Sequence, residues 1–364
     1  MEAQGREDRN FGLPFLVNRL RRASIRAIMM TMRDGLVLCF LAALASVSAQ
    51  TPVAPKPFVA TAQLGVPYVI GAESIVIGTK QKMELASERE VTLDSAELSL
   101  LFPNRHENVF AKAGEKLLIL RGSIRNHEKT STARLTSTES IGLRLWQAYK
   151  GPGKFSFVGT FNPSTLDYIS RQLKPGDSEK FVAVWRIPAD LTDFHFGLMY
   201  DVPKKIAWYD LAPAMGRIRS TFATPDAIGA TDSAKVAPGE TFDLGPLEIR
   251  MGGVSEPETV AGMRRSGTGH RYVVNLTVTN RLLLPARWGW QYVTAELVAA
   301  DGSVLKAYPD IIDLGTDRSW YGDINPGTSM TARFLFPSET AKSPRAFRLT
   351  LPDADRTVEA AFNP

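Results

Sequence analysis

The sequence predicts an all-β protein made of two tandem β-sandwich domains that follow a cleaved signal peptide. Three observations support this class: apolar runs of strand length separated by Pro and Gly, an internal repeat with an offset of about 150 residues, and a basic segment followed by a short apolar one near the N-terminus. The 364 residues are 44% hydrophobic and 22% charged, which is ordinary globular composition and excludes collagen-like and wholly disordered chains.

The N-terminal segment is predicted to be a secretory signal peptide. Five arginines between residues 19 and 33 form a basic region, residues 36–45 form an apolar run, and small residues precede a cleavage point after Ala49. The apolar run is much shorter than the roughly 20 residues that cross a bilayer, so no membrane span is expected after cleavage. The start sites left open are Met1, Met29, Met30 and Met32.

Removal of this segment leaves a nearly neutral protein without cysteine. Seven of the 43 basic and four of the 38 acidic residues lie in residues 1–49, which leaves 36 basic and 34 acidic residues. Several basic residues alternate with apolar positions, as on a solvated sheet face: Lys116, Arg121, Arg125, Arg281 and Arg287. Nucleic acid is therefore not an expected partner. The only cysteine, Cys39, lies in the part removed and lacks the small preceding residue of a lipidation signal, so no disulfide is expected.

Four pairs of segments recur in the same order in the two halves of the exported part. In each half one segment ends in an Asn, Asn126 or Asn280, which suits the end of a strand. A Pro-Gly pair then opens an apolar run that closes on a Pro. The paired segments are 93–100 with 244–251, 116–126 with 270–280, 173–188 with 324–337, and 194–200 with 347–351. This order predicts an internal duplication.

Each half is predicted to contain about seven short strands, as in a sandwich of immunoglobulin type without the Cys pair. Asp301 and Gly302 predict a hairpin between residues 295–300 and 303–307. Residues 333–336 and 347–351 have the β-branched and aromatic content of strands.

The first half contains two weaker local patterns. A Gly-Pro-Gly run predicts a looser hairpin between residues 143–149 and 155–158, and residues 164–172 are the best short helical candidate.

Composition sets the expected domain boundaries. Residues 1–49 are an upstream tract and signal peptide, residues 50–58 a Pro-rich lead-in, and residues 223–235, which are poor in large apolar side chains, a linker. The first sandwich is then expected at residues 59–222 and the second at residues 236–364. The first sandwich also carries extra strand-like segments between residues 66 and 78, which are expected to cover a sheet edge.

The order of these motifs resembles an uncharacterised immunoglobulin-like domain family of bacterial lipoproteins and secreted antigens. The second half carries the resemblance best, through a strand ending at Asn280, the Asp-Gly hairpin, the Pro-Gly turn, an apolar strand closed by Pro337 and a Phe-x-Leu strand at residues 347–351. The match covers most of residues 240–351 and, more loosely, residues 93–200. The resemblance implies an exported binding or structural module and supplies no catalytic residue.

No constellation of residues predicts catalysis, metal binding or a cofactor. His106, His127, His195 and His270 are scattered, without the spacing of a zinc or copper site. Asp193 near His195 suggests an oriented base, but no nucleophile-elbow motif accompanies it. The chain is therefore not expected to be an enzyme.

The aromatic residues of the second half are the candidate ligand-binding residues. Trp288, Trp290, Trp320 and Tyr321 fall near predicted loops on either side of the Asp-Gly hairpin. Exposed rings there can stack on a sugar or anchor a protein partner, and the competing interpretation is core or loop packing. Two further tryptophans lie within predicted strands and are expected in the core: Trp146 and Trp185.

These observations predict an exported, non-catalytic binding or structural module of the bacterial envelope, in the periplasm or outside the cell. The expected partner is an envelope protein, bound through an apolar patch or an open sheet edge. The alternative is a glycan or envelope polymer bound through the four aromatic residues. A second alternative is a hydrolase with an interdomain cleft.

Overall fold

Strands form almost all of the regular structure, which confirms the all-β prediction. The computed structural model describes residues 58–72, 75–77, 81–83, 88–130, 132–136, 144–147, 155–199, 203–260, 263–264 and 269–362. In these residues there is no α-helix, and 3₁₀ turns occur at Ala212–Ala214 and Pro352–Ala354. The predicted signal peptide and residues 50–57 of the lead-in lie outside the described residues.

The strands of the first half are short except for three. In chain order they are β1 (Tyr68–Ala72), β2 (Ile75–Ile77), β3 (Gln81–Met83), β4 (Arg89–Ser99), β5 (Leu101–Pro103), β6 (Asn108–Phe110), β7 (Glu115–Asn126), β8 (Ala133–Thr136), β9 (Arg144–Gln147), β10 (Ser156–Phe161), β11 (Ser170–Leu173), β12 (Ser178–Pro188), β13 (His195–Met199), β14 (Pro203–Lys205) and β15 (Ala207–Asp210).

The strands of the second half follow after the 3₁₀ turn at Ala212–Ala214. They are β16 (Ser233–Val236), β17 (Thr241–Leu244), β18 (Leu247–Ser255), β19 (Thr259–Val260), β20 (Met263–Arg264), β21 (His270–Asn280), β22 (Ala286–Trp288), β23 (Thr294–Ala299), β24 (Val304–Lys306), β25 (Ile312–Asp313), β26 (Arg318–Ser319), β27 (Gly322–Ile324), β28 (Ser329–Ser338), β29 (Pro344–Leu351) and β30 (Arg356–Ala361).

Two antiparallel sheets form the first sandwich. The larger has the strand order β10-β12-β7-β4-β1-β14 and the smaller β15-β13-β9. Their inner faces share a core that contains Leu118, Trp185, Phe196 and Tyr209. Trp185 is therefore buried, as predicted. The side chain of Trp146 is not among the side chains that the structure describes. The extra segment of residues 66–71 supplies β1, which pairs with both β4 and β14 inside the larger sheet.

Two further sheets form the second sandwich, with orders β17-β18-β21-β28-β25-β26 and β16-β30-β29-β23-β24. All neighbours are antiparallel except β16 and β30. The shared core includes Val274, Phe334, Phe336 and Phe347. The predicted strands at residues 333–336 and 347–351 are parts of β28 and β29, and the predicted Asp-Gly hairpin joins β23 to β24.

In each sandwich, an Asn side chain at the same position of the repeat closes the corresponding turn. Asn126 Nδ2 donates to Leu173 O at 3.0 Å, and Asn280 Nδ2 donates to Ile324 O at 2.8 Å. The backbone oxygen of each Asn accepts from the glycine of the Pro-Gly turn, Gly176 at 3.0 Å and Gly327 at 2.9 Å. Both glycines have a left-handed backbone, with φ of 82° and 71°, which explains why glycine stands there. Each Asn therefore ties the end of a central strand to the start of its neighbour.

The central sheet of the first sandwich is buried on both faces. Along β7, Leu118 and Leu120 face the first core, whereas Leu117 and Ile119 belong to a cluster shared with the second sandwich. The neighbouring strand β12 alternates in the same way. Residues 58–364 consequently form one compact unit rather than two independent ones.

Arg356 lies at the junction between the two sandwiches and is 2% exposed. Its Nη2 donates to Ala111 O at 2.9 Å, and its guanidinium lies 5.4 Å and 5.0 Å from the ring centroids of Phe110 and Phe222. No carboxylate of the described residues lies within ion-pair distance, so burial lowers the pKa of Arg356. The β30 arginine thus connects the second sandwich to the β5–β6 hairpin region of the first.

Three local expectations for the first half are wrong. Residues 164–172 are not helical, because Asn162 Oδ1 accepts from the amides of Ser164 and Thr165 and Leu166 has φ of 55°, which together make a tight turn before β11. The expected hairpin between residues 143–149 and 155–158 is absent, because β9 pairs with β13 and β10 with β12 in the opposite sheet.

The third wrong expectation is that Lys116 lies on a solvated sheet face. Its side chain is buried, its Nζ donates to Ala189 O and Leu191 O at 2.9 Å and 2.7 Å, and burial lowers its pKa.

The segment of residues 223–235 joins the two sandwiches: its last three residues already belong to β16 of the second sandwich, and residues near Ala230 contact the first. The amide of Ala230 donates to Glu115 O at 3.1 Å, and a Cβ on Gly229 would come within 2.4 Å of the Ala189 methyl group.

Substitution of the junction arginine tests this architecture. Arg356→Ala should lower the free energy of unfolding by about 2–4 kcal/mol, because it removes a charge-assisted hydrogen bond and the side chain that fills the space between two aromatic rings. Urea unfolding measures the change. Arg281→Ala is the matched control, since Arg281 pairs with Glu248 on the exposed surface and its loss should leave the urea midpoint unchanged. Equal midpoints for both variants would contradict the role of Arg356.

Candidate functional site

The four predicted aromatic residues are brought together by two neighbouring strands of the second sandwich. Strand β22 pairs with β27, so that Arg287 faces Asp323 and Trp288 faces Gly322. The segment 288–293 leaves β22, and Trp320 and Tyr321 lie immediately before β27.

Two of the four residues pack inward. Trp288 is 1% exposed and contacts Phe334 edge to face, with ring centroids 6.4 Å apart. Trp320 is half-buried against the same core, and its backbone amide donates to Ile311 O at 2.6 Å. Their indole N–H groups are buried without an acceptor among the described residues. Neither ring therefore offers a face to a large ligand in this conformation.

The other two residues are exposed. Trp290 is 47% exposed and Tyr321 is 62% exposed. They contribute to two different environments, one mainly apolar and one mainly polar.

The apolar environment is a cleft of about 370 Å³, which we call the Trp290 cleft. Trp290 and Tyr308 line it, and both are about half exposed. Buried side chains of the second core also line it, namely Val293, Ala295, Ile311 and Phe334. Its polar lining residues are Thr294, Glu296 and Lys306. A preformed hollow of this size with an apolar lining can accept an apolar side chain or small apolar group.

The edge strand β24 runs beside the Trp290 cleft. It is the last strand of its sheet, and Leu305 lies opposite Leu297 in β23. The residue pairs Ala299–Ser303 and Ala295–Ala307 are joined by backbone hydrogen bonds. Because bonded and non-bonded pairs alternate along antiparallel strands, Leu305 bonds to β23, and the backbone N–H and C=O groups of Val304 and Lys306 point away from β23. These groups can pair with an added strand.

The polar environment surrounds Tyr321. Its ring lies nearly parallel to that of Tyr292, at 21° with centroids 6.5 Å apart. The Arg287 Nη1 donates to the Tyr292 hydroxyl at 3.4 Å, and the Tyr321 hydroxyl lies 3.4 Å from Gln291 Oε1. Arg287 Nε is 4.0 Å from Asp323 Oδ1.

The two tyrosines of this pair ionise differently. A hydrogen bond from Tyr321 and another from Arg287 lower the pKa of Tyr292, because both stabilise its phenolate. The hydrogen bond to Tyr292 raises the pKa of Tyr321.

A junction cavity of about 410 Å³ adjoins this polar environment. It lies between the loop that joins β5 to β6 and the segment 282–293, and it is lined by both Arg287 and Tyr292. On the opposite wall Arg105 Nη1 and His106 Nε2 lie 2.8 Å and 3.3 Å from Asp167. Arg105 and His106 therefore both contact the Asp167 carboxylate, and Glu107 also lines this wall.

Two residues of this region were missed by sequence analysis. Tyr308 was not singled out, although it directly follows the predicted second strand of the Asp-Gly hairpin and precedes a Pro. Arg287 was interpreted only as part of a solvated face. No local signal shows that Arg287 lies opposite Asp323, because that pairing depends on strand register between segments about 35 residues apart.

The remaining chemical candidates show no further grouping. In the described part of the chain, no three His, Cys, Asp or Glu side chains come close enough to hold a metal ion. His195 Nδ1 lies 2.7 Å from Asp193 Oδ1, and its ring stacks on Phe58 at 4.0 Å. This histidine helps to hold the start of the described chain against the first sandwich.

Comparison with known proteins assigns no family to this chain. No family model matches the sequence, and no curated protein does. The chain is similar in structure to an uncharacterised β-sandwich protein from Clostridium difficile 630, with a TM-score of 0.27 and 14% identity over 35% of this chain and 93% of that one. No helix in the described residues has the length and hydropathy needed to cross a bilayer.

The two adjacent tryptophans should respond differently to truncation. Trp288→Ala should lower the free energy of unfolding by about 3–5 kcal/mol, because it leaves a large hole in the core. Trp290→Ala is the matched control and should change it by less than about 1 kcal/mol, because half of this side chain is already in water. Urea unfolding of both variants checks this, and similar losses would contradict the assignment of Trp288 to the core.

Proposed function

We propose that this protein is an exported, non-catalytic binding module of the bacterial envelope whose ligand is a protein. The single observation that carries the proposal is the Trp290 cleft. It combines exposed aromatic side chains with a lining of buried apolar side chains, and such hollows receive the anchor residues of protein partners.

The chemistry of the cleft favours a protein over other ligands. Most of its lining is apolar, and its polar residues are few. Glu296 is already paired with Arg348 at 3.0 Å, whereas no ion-pair partner of Lys306 occurs in the described residues. A partner with an apolar side chain next to an acidic one would therefore fit this region. The apolar side chain would enter the cleft, and the acidic one would meet the charge of Lys306.

The open edge of β24 provides a second contact for the same kind of partner. An extended segment can bond to the outward backbone groups of Val304 and Lys306 while a side chain enters the cleft. The strand has only three residues and carries a Lys, and both features limit uncontrolled pairing between sheets. The edge therefore supplements the cleft and does not replace it.

The pattern of the N-terminal segment and the family resemblance support the proposed location and class. The basic and apolar segments before Ala49 have the pattern of a secretory signal, and the motif order resembles an immunoglobulin-like domain of bacterial lipoproteins and secreted antigens. The proposal assigns no catalytic residue and no cofactor.

Site-specific photocrosslinking tests the proposal. A photoreactive amino acid at Tyr308, introduced in the producing cells, should crosslink one defined protein. The same amino acid at Lys180, an exposed position in β12 of the first sandwich, is the control and should not. Adding Trp290→Ala should weaken the purified complex by about 30-fold or more, as expected for a buried aromatic anchor.

Two results would overturn the proposal. One is the same set of crosslinked proteins from Tyr308 and Lys180. The other is an affinity for the crosslinked protein that Trp290→Ala leaves unchanged while its urea unfolding curve matches that of the wild type.

A further inference from the structure

The surface around Tyr321 has a composition different from that of the Trp290 cleft and calls for a different ligand. Arg287 and Asp323 lie opposite each other on β22 and β27, with side chains 73% and 53% exposed. Their charges offset each other, so the surface has no net attraction for phosphate or another anion. It presents planar hydrogen-bonding groups of both kinds, guanidinium donors and carboxylate acceptors, next to an exposed ring.

Gly289 allows the ring of Tyr321 to lie where it does. A Cβ at position 289 would come within 3.2 Å of Tyr321 Cδ2, closer than most carbon contacts allow. The ring is therefore seated against the backbone on one side, and its 62% exposure leaves the rest open to solvent. This contact restricts the ring on one side, which reduces the conformational entropy lost when a ligand stacks on it.

The polar contacts made within this surface are long. Both Arg287 to Tyr292 and Tyr321 to Gln291 are 3.4 Å apart, at the upper limit of a hydrogen bond. Such bonds are weak, and a ligand oxygen can replace or share them at low cost. The groups involved are therefore available to a hydroxyl-rich ligand.

The junction cavity extends this surface inward. Arg287 and Tyr292 line the cavity, and Tyr292 is also the stacking partner of Tyr321. The cavity of about 410 Å³ therefore adjoins the surface through Arg287 and Tyr292, whereas Tyr321 and Asp323 lie outside its lining. This space suits a ligand of more than one ring.

We propose that Tyr321, Tyr292, Arg287 and Asp323 form a binding site for a neutral saccharide. A pyranose stacks the apolar C–H face of its ring on Tyr321, and its hydroxyl edge bonds to the guanidinium of Arg287 and the carboxylate of Asp323. A second sugar unit occupies the junction cavity. This site is independent of the Trp290 cleft, because it uses none of the exposed side chains that form the rim of that cleft.

Titration calorimetry with defined sugars tests the site. The probes are tetramers of β-1,4-linked glucose, β-1,4-linked N-acetylglucosamine and α-1,4-linked glucose. At least one should bind the purified protein with a dissociation constant of about 1 mM or tighter. Tyr321→Ala should weaken that binding by about tenfold or more, and Gly289→Ala should weaken it through displacement of the ring.

Tyr308→Ala is the matched control, because it removes an exposed tyrosine from the Trp290 cleft. It should leave sugar affinity within about twofold of wild type. The sugar site is overturned if none of the three tetramers binds at millimolar concentration, or if Tyr321→Ala and Tyr308→Ala change binding equally. Either result leaves the Trp290 cleft untouched, because that cleft is tested by crosslinking at Tyr308.

The saccharide can come from a free envelope polysaccharide or from glycans attached to proteins. Protease-treated envelope polysaccharide and glycans released from envelope proteins are therefore offered separately to the protein on a sensor surface. Binding to either fraction that is lost in Tyr321→Ala supports the site and identifies its source. The proposed saccharide site is overturned if the Tyr321→Ala variant binds both fractions as well as the wild type does.

Discussion

The sheet formed by β4, β7 and β12 must be covered on both faces, and the rest of the architecture follows from this constraint. Its outer face carries Leu117, Ile119 and Val182, which a free-standing sandwich would expose to water. This face belongs to a buried cluster that also contains residues of the β5–β6 hairpin, of the segment 218–230 and of the second sandwich. Arg356 donates to the backbone of the first half at this junction. Burial of this second apolar face stabilises the two sandwiches as one unit.

The duplicated Asn clamps stabilise each sandwich separately. Asn126 and Asn280 are both fully buried, and each satisfies its amide through the residue that precedes a Pro-Gly turn. A buried amide without these partners would carry a desolvation cost, so the clamp and the turn depend on each other. In the second sandwich the Asn280 clamp holds Ile324, the last residue of β27, three residues after Tyr321.

The segment 288–293 separates two surfaces of opposite character. Trp288 anchors it in the core, Trp290 extends toward the apolar cleft, and Tyr292 extends toward the polar surface and the junction cavity. A single buried anchor therefore positions both candidate sites. This arrangement is compatible with an envelope protein that contacts a protein partner and a saccharide at the same end of the second sandwich.

The sequence by itself determined the all-β class, the Asp-Gly hairpin, the strands at residues 333–336 and 347–351, and the Asn residues that end the central strands. These depend on local periodicity and turn chemistry, which act within a few residues. Only the tertiary structure decided that Trp288 is buried while Trp290 is exposed, that Lys116 lies inside, that Arg287 faces Asp323, and that β9 and β10 belong to different sheets. Those outcomes depend on strand register and on which sheet each strand joins, and both are set by contacts between residues far apart in the chain.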